Sequence, residues 1–215
     1  DDDGLPDIVV TNFDGEYNNL FRAADKDFFE DIAPDAVAGR GNLQEVGWGV
    51  GFVDVDNDTR RDLIYVNGHI RPTAHALDEG ASYAQRSRLF RSLGAGEFED
   101  LTDKAGKDFS TPRIARGAAF GDIDNDGDLD VFVLRGGWLV EGQVNSLLRN
   151  RGAGTFEDVT EQAGVLWPMH PSQTASWADF DGDGLLDLFV GNETFGERPH
   201  PCQLFRNLRG GTFLD

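Results

Sequence analysis

The stretch that most constrains this chain runs from Phe120 to Leu134, FGDIDNDGDLDVFVL, an apolar lead-in, a turn dense in carboxylates and an apolar exit. Asp122, Asp124, Asp126 and Asp130 occupy positions 1, 3, 5 and 9 of a loop, with Gly127 at position 6. Alternate residues of a tight turn aim their carboxylates at one centre, and a backbone carbonyl at position 7, here that of Asp128, adds a further oxygen. A hard cation that takes six to eight oxygens in a flexible shell, calcium above all, fits that spacing. Position 12 is Val133 rather than a bidentate Glu, and the flanks read as strand, so the pattern is a hairpin calcium loop and not an EF-hand.

The stretch recurs. Asp179, Asp181, Asp183, Gly184 and Asp187 repeat it, with the Leu185 carbonyl at position 7. Asp54, Asp56, Asp58 and Asp62 repeat it with Thr59 in the glycine position and the Arg60 carbonyl at position 7. The chain opens on a shortened copy, in which Asp1, Asp3, Gly4 and Asp7 fill positions 3, 5, 6 and 9. Independent acidic turns would not share both spacing and apolar flanks. The expectation is up to four Ca2+ ions, one per loop.

Each loop is followed by a short apolar run (Asp7 to Val10, Leu63 to Val66, Leu129 to Leu134, Leu186 to Val190) that reads as a buried strand. A second unit then repeats, NLFRAADKDFFEDIA, RLFRSLGAGEFEDLT, SLLRNRGAGTFEDVT and QLFRNLRGGTFLD, two arms around a turn and hence a hairpin. Its second-arm phenylalanines, Phe29, Phe98, Phe156 and Phe213, are expected in the core. Before each full loop comes a Gly- or Ala-rich strand, GWGVGFVD, RGAAFGD or TASWAD, which implies close backbone approach near a crowded axis. GWGVG does not open a helix, so a nucleotide-binding reading fails.

One repeat is thus a strand, a loop, a strand and a hairpin. The predicted fold is all-β, a β-propeller or propeller segment of about four four-stranded blades in one domain spanning 1–215, with repeats at roughly 1–46, 47–115, 116–172 and 173–215. The chain reads as trimmed at both ends, with open edges that strand exchange or a neighbour could complete. The polar stretch His69 to Arg86 reads as a surface excursion that leaves His69 and His75 in solvent. His170 and His200, beside prolines, read as rigid exposed turns.

These repeats resemble the FG-GAP/VCBS family, whose calcium loops lie in propellers such as the integrin α head. Gly121 to Val133 and Leu147 to Thr160 are most similar to the cartilage acidic protein-like, ASPIC/UnbV-associated group. The resemblance implies a propeller, structural calcium, an extracellular or cell-surface location (the periplasm included), and a role in adhesion or interaction.

A net charge of −20 argues against nucleic acid as a partner, since that needs a basic footprint. No apolar run approaches membrane-spanning length. Cys202 is the single cysteine and reads as a small packed residue. No serine lies in a nucleophile elbow, and a carboxylate that holds calcium is not free for acid–base work, so the chain is not expected to be an enzyme. The sequons at Asn57 and Asn192 read as chance matches. Three functions follow in order: binding of a protein or glycan at the cell surface; self-assembly into a homo-oligomer, filament or surface layer; and a non-catalytic scaffold within a polysaccharide-active enzyme.

Overall fold

The computed structural model describes residues 1, 3–76, 80–136, 143–194 and 199–215. It is built from four antiparallel sheets, each an up-and-down meander in chain order. The first holds β1 (Ile8–Val10), β2 (Asn19–Asp25) and β3 (Phe28–Asp31). A one-turn helix, α1 (Val37–Arg40), leads to the second sheet: β4 (Gly47–Val53), β5 (Asp62–Asn67), β6 (Arg88–Gly94) and β7 (Glu97–Asp100). After α2 (Lys107–Ser110) come β8 (Ala115–Gly121), β9 (Asp130–Arg135), β10 (Ser146–Asn150) and β11 (Phe156–Asp158). The fourth sheet is β12 (Ser172–Ala178), β13 (Asp187–Asn192), β14 (Gln203–Asn207) and β15 (Phe213–Leu214). These are propeller blades, and the first lacks the counterpart of β4, β8 and β12.

Those three strands form the inner edge of their sheets and lie side by side. The glycines that the sequence places there are required by that approach. A Cβ on Gly49 would come within 2.6 Å of the Ala118 nitrogen, and one on Gly117 within 3.3 Å of the Gln173 carbonyl. Aspartate loops connect the first and second strands of each complete blade at one end of the arc. The turns between second and third strands lie at the other.

The core is divided into three clusters, one between each pair of successive blades. Leu20, Ala33, Leu63, Tyr65 and Phe90 join blades 1 and 2. Val53, Ile64, Leu89, Val131, Val133 and Phe156 join blades 2 and 3. Phe132, Leu134, Leu188, Val190, Phe205 and Phe213 join blades 3 and 4. Strands β5 and β9, in the middle of the arc, are buried throughout, as a strand covered on both faces must be.

This arrangement corrects several sequence expectations. Phe156 and Phe213 are buried against the preceding blade and Phe98 packs against its cluster, whereas Phe29 is 44% exposed. Among the described residues no blade packs on that face of blade 1, so its phenylalanine stays in the open. For the same reason Ile8 and Val10 of β1 are exposed rather than buried. His69 is not in solvent: it is buried, stacked edge-on against Phe13, and its Nδ1 accepts the Arg71 N–H at 2.9 Å. His75 is exposed as expected. His170 and His200 are half-buried because their rings face each other at 4.9 Å. Cys202 is exposed, not packed. No helix is long and apolar enough to cross a membrane among the described residues.

Candidate metal centres

Each aspartate loop is folded by its own carboxylates. The position 1 side chain gathers the amides that follow it: Asp122 accepts the N–H groups of Asp126 and Gly127, Asp54 those of Asp58 and Thr59, and Asp179 those of Gly182, Asp183 and Gly184. Position 5 closes a small turn, with Asp58, Asp126 and Asp183 accepting from Arg60, Asp128 and Leu185 at 2.9 to 3.0 Å. Positions 4 and 6 both need positive φ, supplied by Asn57, Asn125 and Gly182, and by Thr59, Gly127 and Gly184. Asn and Gly tolerate that region, whereas a β-branched Thr is strained in it.

The position 9 aspartate stitches loop to sheet. Asp130 accepts the Ile123 N–H at 3.0 Å with one oxygen and the Asn150 N–H at 2.8 Å with the other. Asp62 does the same for Val55 and Ser92, and Asp187 for Phe180 and Asn207. Burial pushes Asp62 up to about 6 and Asp130 up to about 7, against the pull of those amides.

Carboxylate oxygens converge in three places. Asp54, Asp56 and Asp58 form one group, Asp122, Asp124 and Asp130 a second, and Asp179, Asp181 and Asp187 a third, in each case with the atoms within 4.8 Å of one another. Asp126, Asp183 and Asp62 lie outside these groups. Near the start of the given sequence, Asp1, Asp3 and Asp7 form no such group among the described residues. One oxygen each of Asp56 and Asp124 is buried without a hydrogen-bond partner. Orphaned carboxylate oxygens, like charges at close range and an all-oxygen donor set fit a hard divalent cation.

Sequence reasoning missed the basic partners of these loops. Arg149 Nε lies 3.1 Å from Asp124, and Arg206 Nε lies 2.5 Å from Asp181, so an arginine of the third strand supports the position 3 carboxylate. The recurrent L-L/F-R of the hairpin unit carries that signal. In blade 2, Arg91 pairs with Glu99 instead, and Arg60 pairs with Asp58. Adjacent loops also touch, since Asn57 donates to Asp128 at 2.5 Å. A glycan on Asn57 would break that bond, and the Asn192 amide is likewise engaged by the Pro201 carbonyl.

The amino-acid sequence is 29% identical to cartilage acidic protein 1 of Xenopus tropicalis over 98% of this chain and 32% of that protein. It is 31% identical to that of Mus musculus over 95% of this chain and 29% of the relative. The chain therefore spans about a third of the length of these curated relatives. Among solved structures, a lectin of Agrocybe aegerita described as recognising non-reducing terminal N-acetylglucosamine superposes with a TM-score of 0.49 at 17% identity, over 98% of this chain and 51% of that one. The FG-GAP-like repeat model matches residues 78–133 and 138–190, half of the chain. With the loop spacing and blade order, this makes the chain a member of the FG-GAP-like repeat family.

Proposed function

We propose that this chain is an extracellular, calcium-stabilised propeller module that acts by binding a protein or glycan at the cell surface and not by catalysis. The supporting observation is the convergence of carboxylates in three equivalent loops that the backbone has already folded. Calcium bound there neutralises carboxylates that would otherwise repel, and the chain's own residues do the rest. Position 1 and 5 side chains hold the turn, the position 9 aspartates tie it to the sheet, and Arg149 and Arg206 orient position 3. Ions in such modules are held at the near-millimolar concentrations found outside cells, which suits an extracellular location.

Calorimetric titration with Ca2+, beside melting curves with and without chelator, tests this reading. Heat of binding at two or more sites and a melting temperature that falls on chelation are expected. A melt indifferent to chelator overturns it.

A second reading, self-assembly, is favoured by the apolar outer faces of the end blades. Ile8, Val10 and Phe29 stand exposed on blade 1, and Phe189, its cross-strand partner Leu204, and Leu214 on blade 4. Light scattering with calcium distinguishes a monomer from head-to-tail assemblies in which these faces meet.

A further inference from the structure

The inner strands carry the same irregularity three times. Between Gly47 and Gly49, between Ala115 and Gly117, and between Ser172 and Thr174, the pairing with the next strand slips by one residue. The extra residues are Trp48, Arg116 and Gln173, each at the start of an inner strand and so at the end of the arc opposite the aspartate loops. A bulge frees one side chain from the alternation of a strand and re-aims it. Three adjacent blades thus present an indole, a guanidinium and an amide around one axial end.

Arg116 is the unusual member. It is 7% exposed and lies over the Trp48 ring at 4.7 Å. The other buried arginine, Arg135, pairs with Asp108; Arg116 meets no carboxylate among the described residues. Its Nη1 donates to the carbonyls of Gly68 at 3.0 Å and Ala115 at 2.7 Å, and its Nη2 to that of His69 at 3.0 Å. A guanidinium has five N–H groups, so the Nε–H and one Nη2–H are left. Two free N–H groups can serve the two oxygens of a carboxylate. Burial lowers the arginine's proton affinity, the neighbouring Tyr83 hydroxyl opposes that shift, and a bound anion would oppose it further.

The surroundings are rigid and polar. The Trp48 Nε1–H donates to the same Gly68 carbonyl at 2.7 Å, yet the residue keeps 37% of its surface exposed. Gly68 admits no side chain, since a Cβ would lie 2.7 Å from the Ala115 nitrogen and 2.9 Å from Arg116 Nη1. On the next blade the Gln173 amide donates to Glu193 at 2.9 Å, a planar pair able to give and accept hydroxyl hydrogen bonds. A flat apolar ring, a charge that meets no carboxylate among the described residues and an amide–carboxylate pair suit a sugar ring that carries an acid group.

We infer that this axial end binds a carboxylate-bearing saccharide, with Arg116 taking the carboxylate, Trp48 the apolar face of the ring, and Gln173 with Glu193 the hydroxyls. The inference rests on the reading of the chain as a binding module and supplies its ligand class. The overall charge of −20 does not forbid it, because charges beyond about 8 Å are screened at physiological salt.

The test is titration of the calcium-loaded protein with glucuronate, followed by the Trp48 indole N–H resonance, which Trp48→Phe assigns. Glucose, acetate and an aspartate-terminated peptide are titrated in parallel. Saturable shifts with glucuronate, at least tenfold weaker with glucose and with acetate, are expected. Arg116→Gln should abolish them; because it also loosens three carbonyls, Gln173→Ala is the second variant, expected to weaken binding severalfold. Calcium-dependent melts of each variant are recorded alongside, so that loss of the fold or of calcium binding is seen separately from loss of this site. No shift with glucuronate, glucose binding equally well, or acetate or the peptide binding as tightly would each overturn the assignment.

Discussion

The side-chain amide of Asn150 donates a hydrogen bond of 2.9 Å to the carbonyl of Val55, 95 residues away in the sequence. Asn150 ends the third strand of one blade, and Val55 is position 2 of the aspartate loop of the blade before it. Asn207 repeats the bond to Ile123 at 2.9 Å. Every loop covered in this way has a buried position 2, whereas Phe180, covered by no blade among the described residues, is 72% exposed.

Replacing Asn150 by Ala should leave the buried Val55 carbonyl with only the Gly154 N–H at 3.4 Å and cost about 0.5–1.5 kcal/mol of stability. Because that carbonyl belongs to the loop of Asp54, the same change should weaken calcium at that loop more than at the loop of Asp122. Urea unfolding with and without calcium measures the first effect, and residue-resolved calcium titration by NMR the second.

Removal of calcium should lower the melting temperature, and Asp124→Ala should reproduce part of the loss while leaving Arg149 only the Gly210 carbonyl. A site held at a hundred times its Kd contributes about 2.7 kcal/mol, so the shift is large enough for calorimetry. The same variant compared in chelator isolates the ion-independent cost of breaking the Arg149 pair.

Position 6 allows a reciprocal exchange. Thr59 is exposed with φ of 76°, and Gly127 has φ of 93° with nothing within 4 Å of a would-be Cβ. Thr59→Gly should therefore relieve strain and stabilise by about 0.5–1 kcal/mol after the extra chain entropy of glycine is deducted. Gly127→Thr should cost about 1–2 kcal/mol. Equilibrium unfolding checks the opposite signs, and an equal effect of both would contradict the backbone argument.

The metal-free protein should also respond to pH in a defined direction. Asp62 and Asp130 titrate in the fold at about 6 and about 7, above the ordinary value of 3.8, chiefly because burial penalises the charged form. The folded chain therefore binds protons more readily than the unfolded one. Their contribution is present below about pH 4 and is lost as pH rises through 6 and 7. Melting temperature in chelator should fall across that window, and calcium should abolish the fall by making the charged form the favoured one.

Much of this was legible in the sequence because it is written locally. The 1-3-5-9 spacing, the glycine at position 6 and the hairpin unit each depend on neighbours a few residues apart, and β5, β9 and the three inner strands follow from them. What escaped is set by contacts between blades. The sequence pattern of Phe29 is the same as that of Phe156, and what separates their fates is that a neighbouring blade among the described residues packs on Phe156 and none on Phe29. Asp130 reads as one more ligand, yet its two oxygens also hold the amides of Ile123 and Asn150, a stitch visible only once the third strand is laid beside the loop. The bulges at Trp48, Arg116 and Gln173 leave no mark in spacing, since an extra residue in a strand looks like any other.

Four blades joined through three apolar seams make a row in which the middle members have two neighbours and the end members one. Stability in such a row is a sum over neighbours. Amide exchange should accordingly be graded along the chain, slowest in β5 and β9 and fastest in β1 and β15, with opening that proceeds inward from both flanks. Whatever comes to rest on either flank would then do more than hide Phe29 or Phe189: it would turn an end member into a middle one and slow exchange throughout the blade beneath it.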